Sequence, residues 1–216
     1  MKKVGVVFLS VLLVGVWAAV AFANAEDTAN KKITNAATLK LMSTFLSNFS
    51  EQGIFDVKRF TIDDRIRFGI RHNYINNYKS RVAQCKVKNC PYGALTIKAD
   101  HVFESIKKYL NADLATPFKK GEISYKYNEE DGFYLDQDAM LYHFEGADGE
   151  AVYYARVTEA STIVDDTGGK TYVEMTGYFY NVEDEKEKRG GFIAHAAPYK
   201  YGGKDTWYLI DLLQTD

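Results

Sequence analysis

The chain has 216 residues, with 27 Lys plus Arg against 29 Asp plus Glu and a formal net charge of −2. A polyanion-binding surface requires clustered positive charge, and this near balance excludes nucleic acid as an expected partner. No internal repeat or low-complexity tract occurs, so one ordinary folded unit is expected.

Met1-Lys2-Lys3 makes a positive start, Val4 to Val20 carries no charge, and Ala23-Asn24-Ala25 is a small-x-small cleavage site before Glu26. Residues 1–25 therefore read as a secretory signal. The alternative is an N-terminal membrane anchor, because the apolar run approaches the roughly 20 residues that span a bilayer. No cysteine lies near the cleavage site, which excludes a thioether lipid anchor there. Loss of Lys2 and Lys3 lowers Lys plus Arg from 27 to 25 against 29 acidic residues, a net charge near −4. Residues 26–33 are a polar linker, and 34–216 read as a single domain large enough to bury a core. The expected location is periplasmic or extracellular.

The first helix begins at Thr34 or Asn35, either of which can cap it. Leu39, Met42, Leu46 and Phe49 recur at helical spacing, Phe45 widens the stripe, and Gly53 ends it. A second helix opens at Thr61, with Asp63 and Asp64 placed to suit the helix dipole, and runs to about Ser80. Its inner face would carry Ile62, Ile66, Gly69, Ile70, Asn73 and Asn77. Arg81 to Gly93 reads as a loop, Leu95-Thr96-Ile97 as a short strand, and Asp100 as the cap of a third helix burying Val102, Phe103, Ile106 and Leu110.

After Pro117 the pattern changes to alternating β-branched and aromatic residues broken by turn clusters at 128–132, 146–149, 165–169, 183–191 and 202–205. Strands are expected near 121–127, 133–144, 150–164, 171–182, 191–200 and 206–213. Short connections join antiparallel neighbours, so these strands predict a meander sheet. The fold class is α+β, with three N-terminal helices packed on a C-terminal antiparallel sheet of about five to six strands. This order of elements resembles the cone-shaped nuclear-transport-factor-like or ketosteroid-isomerase-like folds, with a cystatin-like arrangement as the alternative. Phe45 to Phe49 and His72 to Tyr78 resemble segments of uncharacterised exported bacterial proteins, which implies a cellular context and no mechanism.

Cys85 and Cys90 are the only cysteines, and an isolated close pair in an exported chain predicts a disulfide. Its small ring would be worth roughly 2 kcal/mol in the chain-entropy model, enough to staple a turn. The spacing is not that of a thiol oxidoreductase, and no histidine lies close in sequence, so no metal is assigned. The histidines His72, His101, His143 and His195 form no His-x-x-x-His or His-Glu-x-x-His pair. Nucleophile-elbow, phosphate-loop and dinucleotide signatures are also absent, and no cofactor is expected. The acidic turn at 128–132 and the pair Asp136 and Asp138 lack EF-hand spacing and read as solvated turns. The mixed-sign run 183–189 reads the same way.

Strand alternation supplies the main candidate site. Val173, Met175, Gly177 and Phe179 share one face, while Tyr172, Glu174, Thr176, Tyr178 and Tyr180 share the other. If neighbouring strands add their polar members to the second face, Tyr154, Arg156, Glu174, Tyr178, His195 and Asp211 form one polar surface. That surface is either a wet sheet face or a pocket capable of acid-base chemistry. A secondary candidate is the helical set His72, Asn73, Asn76 and Asn77, with Tyr74 and Tyr78 on its flank; buried amides there must find partners. The 16 tyrosines suit both strand formation and the binding of polar ligands with flat faces. The leading expectation is a noncatalytic envelope protein that binds a small ligand or another envelope protein. The alternatives are a small isomerase- or dehydratase-like acid-base enzyme, and a partner protein engaging through a sheet edge.

Overall fold

The computed structural model describes residues 31–112, 132–136, 138–146, 152–164 and 169–216. The signal segment, the strand expected at 121–127 and parts of three turns lie outside these. The described elements are α1 (Ala36–Ser50), α2 (Ile62–Arg81), β1 (Val82–Gln84), β2 (Leu95–Lys98), α3 (Ala99–Leu110), β3 (Phe133–Asp136), β4 (Leu141–Phe144), β5 (Tyr153–Val164), β6 (Thr171–Asn181), β7 (Lys188–Tyr201) and β8 (Lys204–Thr215). The fold is α+β, with every strand pair among the described residues antiparallel.

Local chemistry sets the helix ends. Asn35 caps α1 by accepting a hydrogen bond from the Thr38 amide at 3.0 Å. Thr61 and Asp64 form a reciprocal capping box on α2: the Asp64 amide donates to Thr61 Oγ1 at 3.1 Å, and the Thr61 amide to Asp64 Oδ2 at 2.9 Å. The expected cap of the third helix is corrected. Asp100 lies inside α3, and the capping position belongs to Lys98, whose side chain makes no capping bond. The inner face of α2 is also redrawn, because Ile62 is 49% exposed while Phe68 and His72 are buried. Asn77, at φ −133°, breaks the helical geometry one turn before the end of α2, and the buried face of the helix ends before it, at Asn73.

Among the described residues the strands form two sheets of four, in the orders β1-β2-β4-β3 and β5-β6-β7-β8, in place of one continuous meander. Two local departures from expectation build the smaller sheet. Val82 to Gln84, expected in a loop, pairs with β2. The single strand expected over 133–144 folds into a hairpin, its turn made by Asp138 to Met140, with Met140 at φ +50°. Asp136 Oδ1 accepts from the Asp138 and Ala139 amides at 3.0 and 3.1 Å, so this aspartate serves the turn.

One core joins both sheets to the helices. Met42, Phe45, Leu46 and Phe49 of α1 bury with Val173, Met175 and Phe179 of β6 and Phe192, Ala194 and Ala196 of β7, as alternation on β6 requires. Each fully buried Leu or Phe side chain contributes about 1.5 to 3 kcal/mol. Gly69 allows α2 to meet α3 closely, since a Cβ there would stand 2.7 Å from Val102 O and Cγ1. The outer edge of β5 is occupied. The Ala155 and Val157 amides donate to Ser47 Oγ and Ser43 Oγ of α1 at 3.0 and 2.9 Å, and residues 31–33 bond to Ala160 O and the Thr162 amide.

Candidate functional site

Glu174, His195 and Asp211 are direct register partners on β6, β7 and β8. Their side chains meet: His195 Nδ1 lies 2.7 Å from Asp211 Oδ1, and Nε2 lies 3.3 Å from Glu174 Oε2. The core-facing neighbours Val173, Met175, Ala194 and Ala196 place this trio on the sheet face away from the core. Its side chains are 38%, 31% and 27% exposed in the order Glu174, His195, Asp211. Partial burial disfavours a charged ring, but the hydrogen bond and charge of Asp211, followed by those of Glu174, outweigh it and hold His195 above its ordinary pKa.

Two carboxylates facing two ring nitrogens favour an imidazolium that donates from both. A general base needs one nitrogen with a free lone pair turned toward substrate, and neither is left. The trio is therefore a cross-strand charge ladder that ties three strands together.

The remaining members of the predicted surface lie apart. Arg156 is the register partner of Tyr178, and Tyr178 is four residues from Glu174 along β6, a separation of about 13 Å. Arg156 stacks over the Tyr180 ring at 4.8 Å, and Lys188 sits over Tyr178 at 4.2 Å. Tyr154 meets Tyr180 edge-on at 6.4 Å. Tyr154, Arg156 and Tyr180 line a groove of about 560 Å³ between α1 and β5, whose other wall includes Lys40, Ser43, Ser47, Asn48 and Glu51 of α1 and the turn that follows it. The predicted surface thus divides into a charge ladder and a tyrosine-arginine wall.

The helical candidates are largely structural. Asn73 is fully buried, and its Nδ2 donates to Gly69 O, His101 O and Ser105 Oγ within 2.8–3.1 Å while its Oδ1 accepts from Arg81 Nη1 at 3.2 Å, which fastens α2 to α3. Asn77 Nδ2 donates to Asn73 Oδ1 at 3.3 Å. Asn76 Nδ2 donates to Glu51 Oε1 at 2.5 Å and lies 3.4 Å from His72 Nδ1. His72 packs against Phe68 and Tyr109, and its pKa is lowered to about 4 by burial, then by the charges of Lys108 and Arg81.

Two features escape a reading by periodicity. A cavity of about 730 Å³ is lined by Asp56, Lys58 and Arg59 before α2 and by Asp64, Arg67 and Arg71 on it. Its basic residues belong to two elements, so no charge run announces it. The second feature involves the cysteine pair. Cys85 and Cys90 are free thiols here, and His143 lies against both although it is 58 and 53 residues away along the chain.

No family model, curated protein or solved structure matches this chain.

Proposed function

We propose that this chain is an exported envelope protein acting as a noncatalytic binding domain, with its ligand seated in the groove between α1 and β5. One observation carries the reading: Tyr154, Arg156 and Tyr180 come together as a wall of that groove. Tyrosine offers a broad apolar face with a polar tip, and Arg156 adds planar donors. Asn48 and Glu51 on the opposite wall supply further hydrogen-bonding groups. A saccharide or an extended peptide, with flat faces and polar edges, suits such a lining. The double occupation of His195 argues against the acid-base enzyme. The signal-like sequence of residues 1–25 supports export. Three helices before the large antiparallel sheet support the cone-fold resemblance, and the division into two sheets weighs against it.

The test is binding by the chain and by its Tyr154→Ala/Tyr180→Ala variant, using soluble envelope saccharides and a peptide panel, read by chemical-shift mapping of isotope-labelled protein. Expected are shifts confined to α1, β5 and the Tyr180 end of β6 for one ligand class, and at least a tenfold affinity loss in the variant. Shifts elsewhere, or equal affinity in both proteins, would refute the groove.

A further inference from the structure

We infer that Cys85, Cys90 and His143 form a binding site for a thiophilic divalent cation, of which zinc is the type. The proposal is independent of the α1–β5 groove. It begins with the small sheet, where Tyr142 and Phe144 of β4 bury in the core and the intervening His143 points to the opposite face beside its register partners Thr96 and Tyr134. The segment from Cys85 to Gly93 folds over this face. The Cys85 amide continues the β1–β2 ladder by donating to Ala94 O at 2.8 Å, which fixes the first sulfur. Tyr92 stacks on Tyr134 with ring centroids 3.9 Å apart and planes at 14°. Gly93, at φ +122°, makes the close approach possible, since a Cβ there would stand 2.3 Å from the Phe144 carbonyl.

The result is a preformed set of three donors. His143 Nδ1 lies 3.6 Å from Cys85 Sγ and 3.4 Å from Cys90 Sγ, and all three ligand atoms fall within 4.8 Å of one another. Zinc–sulfur and zinc–nitrogen bonds of about 2.3 and 2.05 Å, set at a tetrahedral angle, place sulfur and nitrogen about 3.6 Å apart. The two S···N distances match that edge. His143 is buried, while both cysteines are half-buried, so the cluster has a fixed base and an approach from solvent.

Without a cation the three groups are held only by weak thiol hydrogen bonds. A neutral imidazole with its proton on Nε2 offers one lone pair at Nδ1, and two thiols face it. One S–H can donate there, and the other is left the neighbouring sulfur, a weak acceptor. A divalent cation accepts all three donors, displacing one proton from each thiol, and the two thiolate charges neutralise it. Three protein ligands leave a fourth position for water or for a donor atom of an incoming molecule, the pattern of an open zinc site. The pair of cysteines alone did not suggest this, because the histidine comes from a strand beyond α3.

A disulfide between the same cysteines is the competing state, and the experiment separates the two. The full chain is reduced, stripped of metal and titrated with Co(II) under anaerobic conditions. Expected are one equivalent bound, thiolate-to-cobalt charge-transfer absorption, tetrahedral d–d bands, and loss of all three on adding one equivalent of Zn(II). Cys90→Ser, in the surface loop, should weaken cobalt binding at least tenfold with an unchanged circular dichroism spectrum; His143→Ala should do the same. In air, one equivalent of Zn(II) should slow thiol loss in the wild-type chain at least tenfold. Absence of charge transfer, binding that survives Cys90→Ser, or air oxidation to the disulfide at a rate indifferent to Zn(II) overturns the proposal.

Discussion

Lowering the pH should destabilise this fold through His72 in a window set by its environment. The ring is 5% exposed, lies 5.7 Å from the Phe68 ring at 16° between planes, and has Tyr109 at 4.7 Å. Burial, reinforced by Lys108 and Arg81, lowers its pKa from 6.5 to about 4. The unfolded chain takes up a proton near pH 6.5, whereas the folded chain resists until about pH 4. Stability is therefore complete above 6.5 and falls as the pH drops through that window, by about 3 kcal/mol in all. That is a large share of the roughly 5–15 kcal/mol that holds a typical domain together. Glu51, whose pKa is raised by burial, works in the opposite direction, so wild type must be compared with His72→Phe, which keeps the aromatic packing and removes the titration. Urea unfolding at a series of pH values should show wild type losing about 3 kcal/mol more than the variant between pH 6.5 and 4. Parallel loss in both proteins would refute the assignment.

The charge ladder predicts the reverse sign. The raised His195 pKa contributes stability that is present below pH 6.5 and disappears as the pH rises through the folded-state value. Asp211→Asn should lower the His195 pKa, measured by NMR titration of the ring; an unchanged titration would show that Asp211 does not hold the imidazolium. Gly69→Ala should cost about 1–3 kcal/mol by forcing α2 away from Val102, and an unchanged urea midpoint would mean that the helices separate freely.

Periodic burial explains what was legible in the sequence. Alternation placed Glu174, His195 and Asp211 on one face, and their convergence follows from the direct register of β6, β7 and β8. The same rule could not separate them from Arg156 and Tyr178, because alternation assigns a face and says nothing of position along it. The bulge between Val157 and Glu159 further offsets β5 against β6. The 133–144 segment escaped because its turn contains no glycine or proline: Met140 takes the left-handed conformation that normally advertises a turn through Gly or Asn. The Asp100 cap failed for a smaller reason: α3 begins at Ala99, so the capping position falls two residues earlier, on Lys98 at the end of β2.

The distribution of polar bonds also decides between modes of recognition. A partner adding a strand to the large sheet at β5 would need that strand's outward amides and carbonyls, but Ser43, Ser47 and residues 31–33 already use those of Ala155, Val157, Ala160 and Thr162. Displacing them would uncover the α1 stripe of Met42, Leu46 and Phe49, whose burial outweighs a few backbone hydrogen bonds worth about 1 kcal/mol each. The covered β5 edge therefore acts against strand addition. Recognition at this side of the molecule is left to side chains, and the side chains gathered there are those of Tyr154, Arg156 and Tyr180.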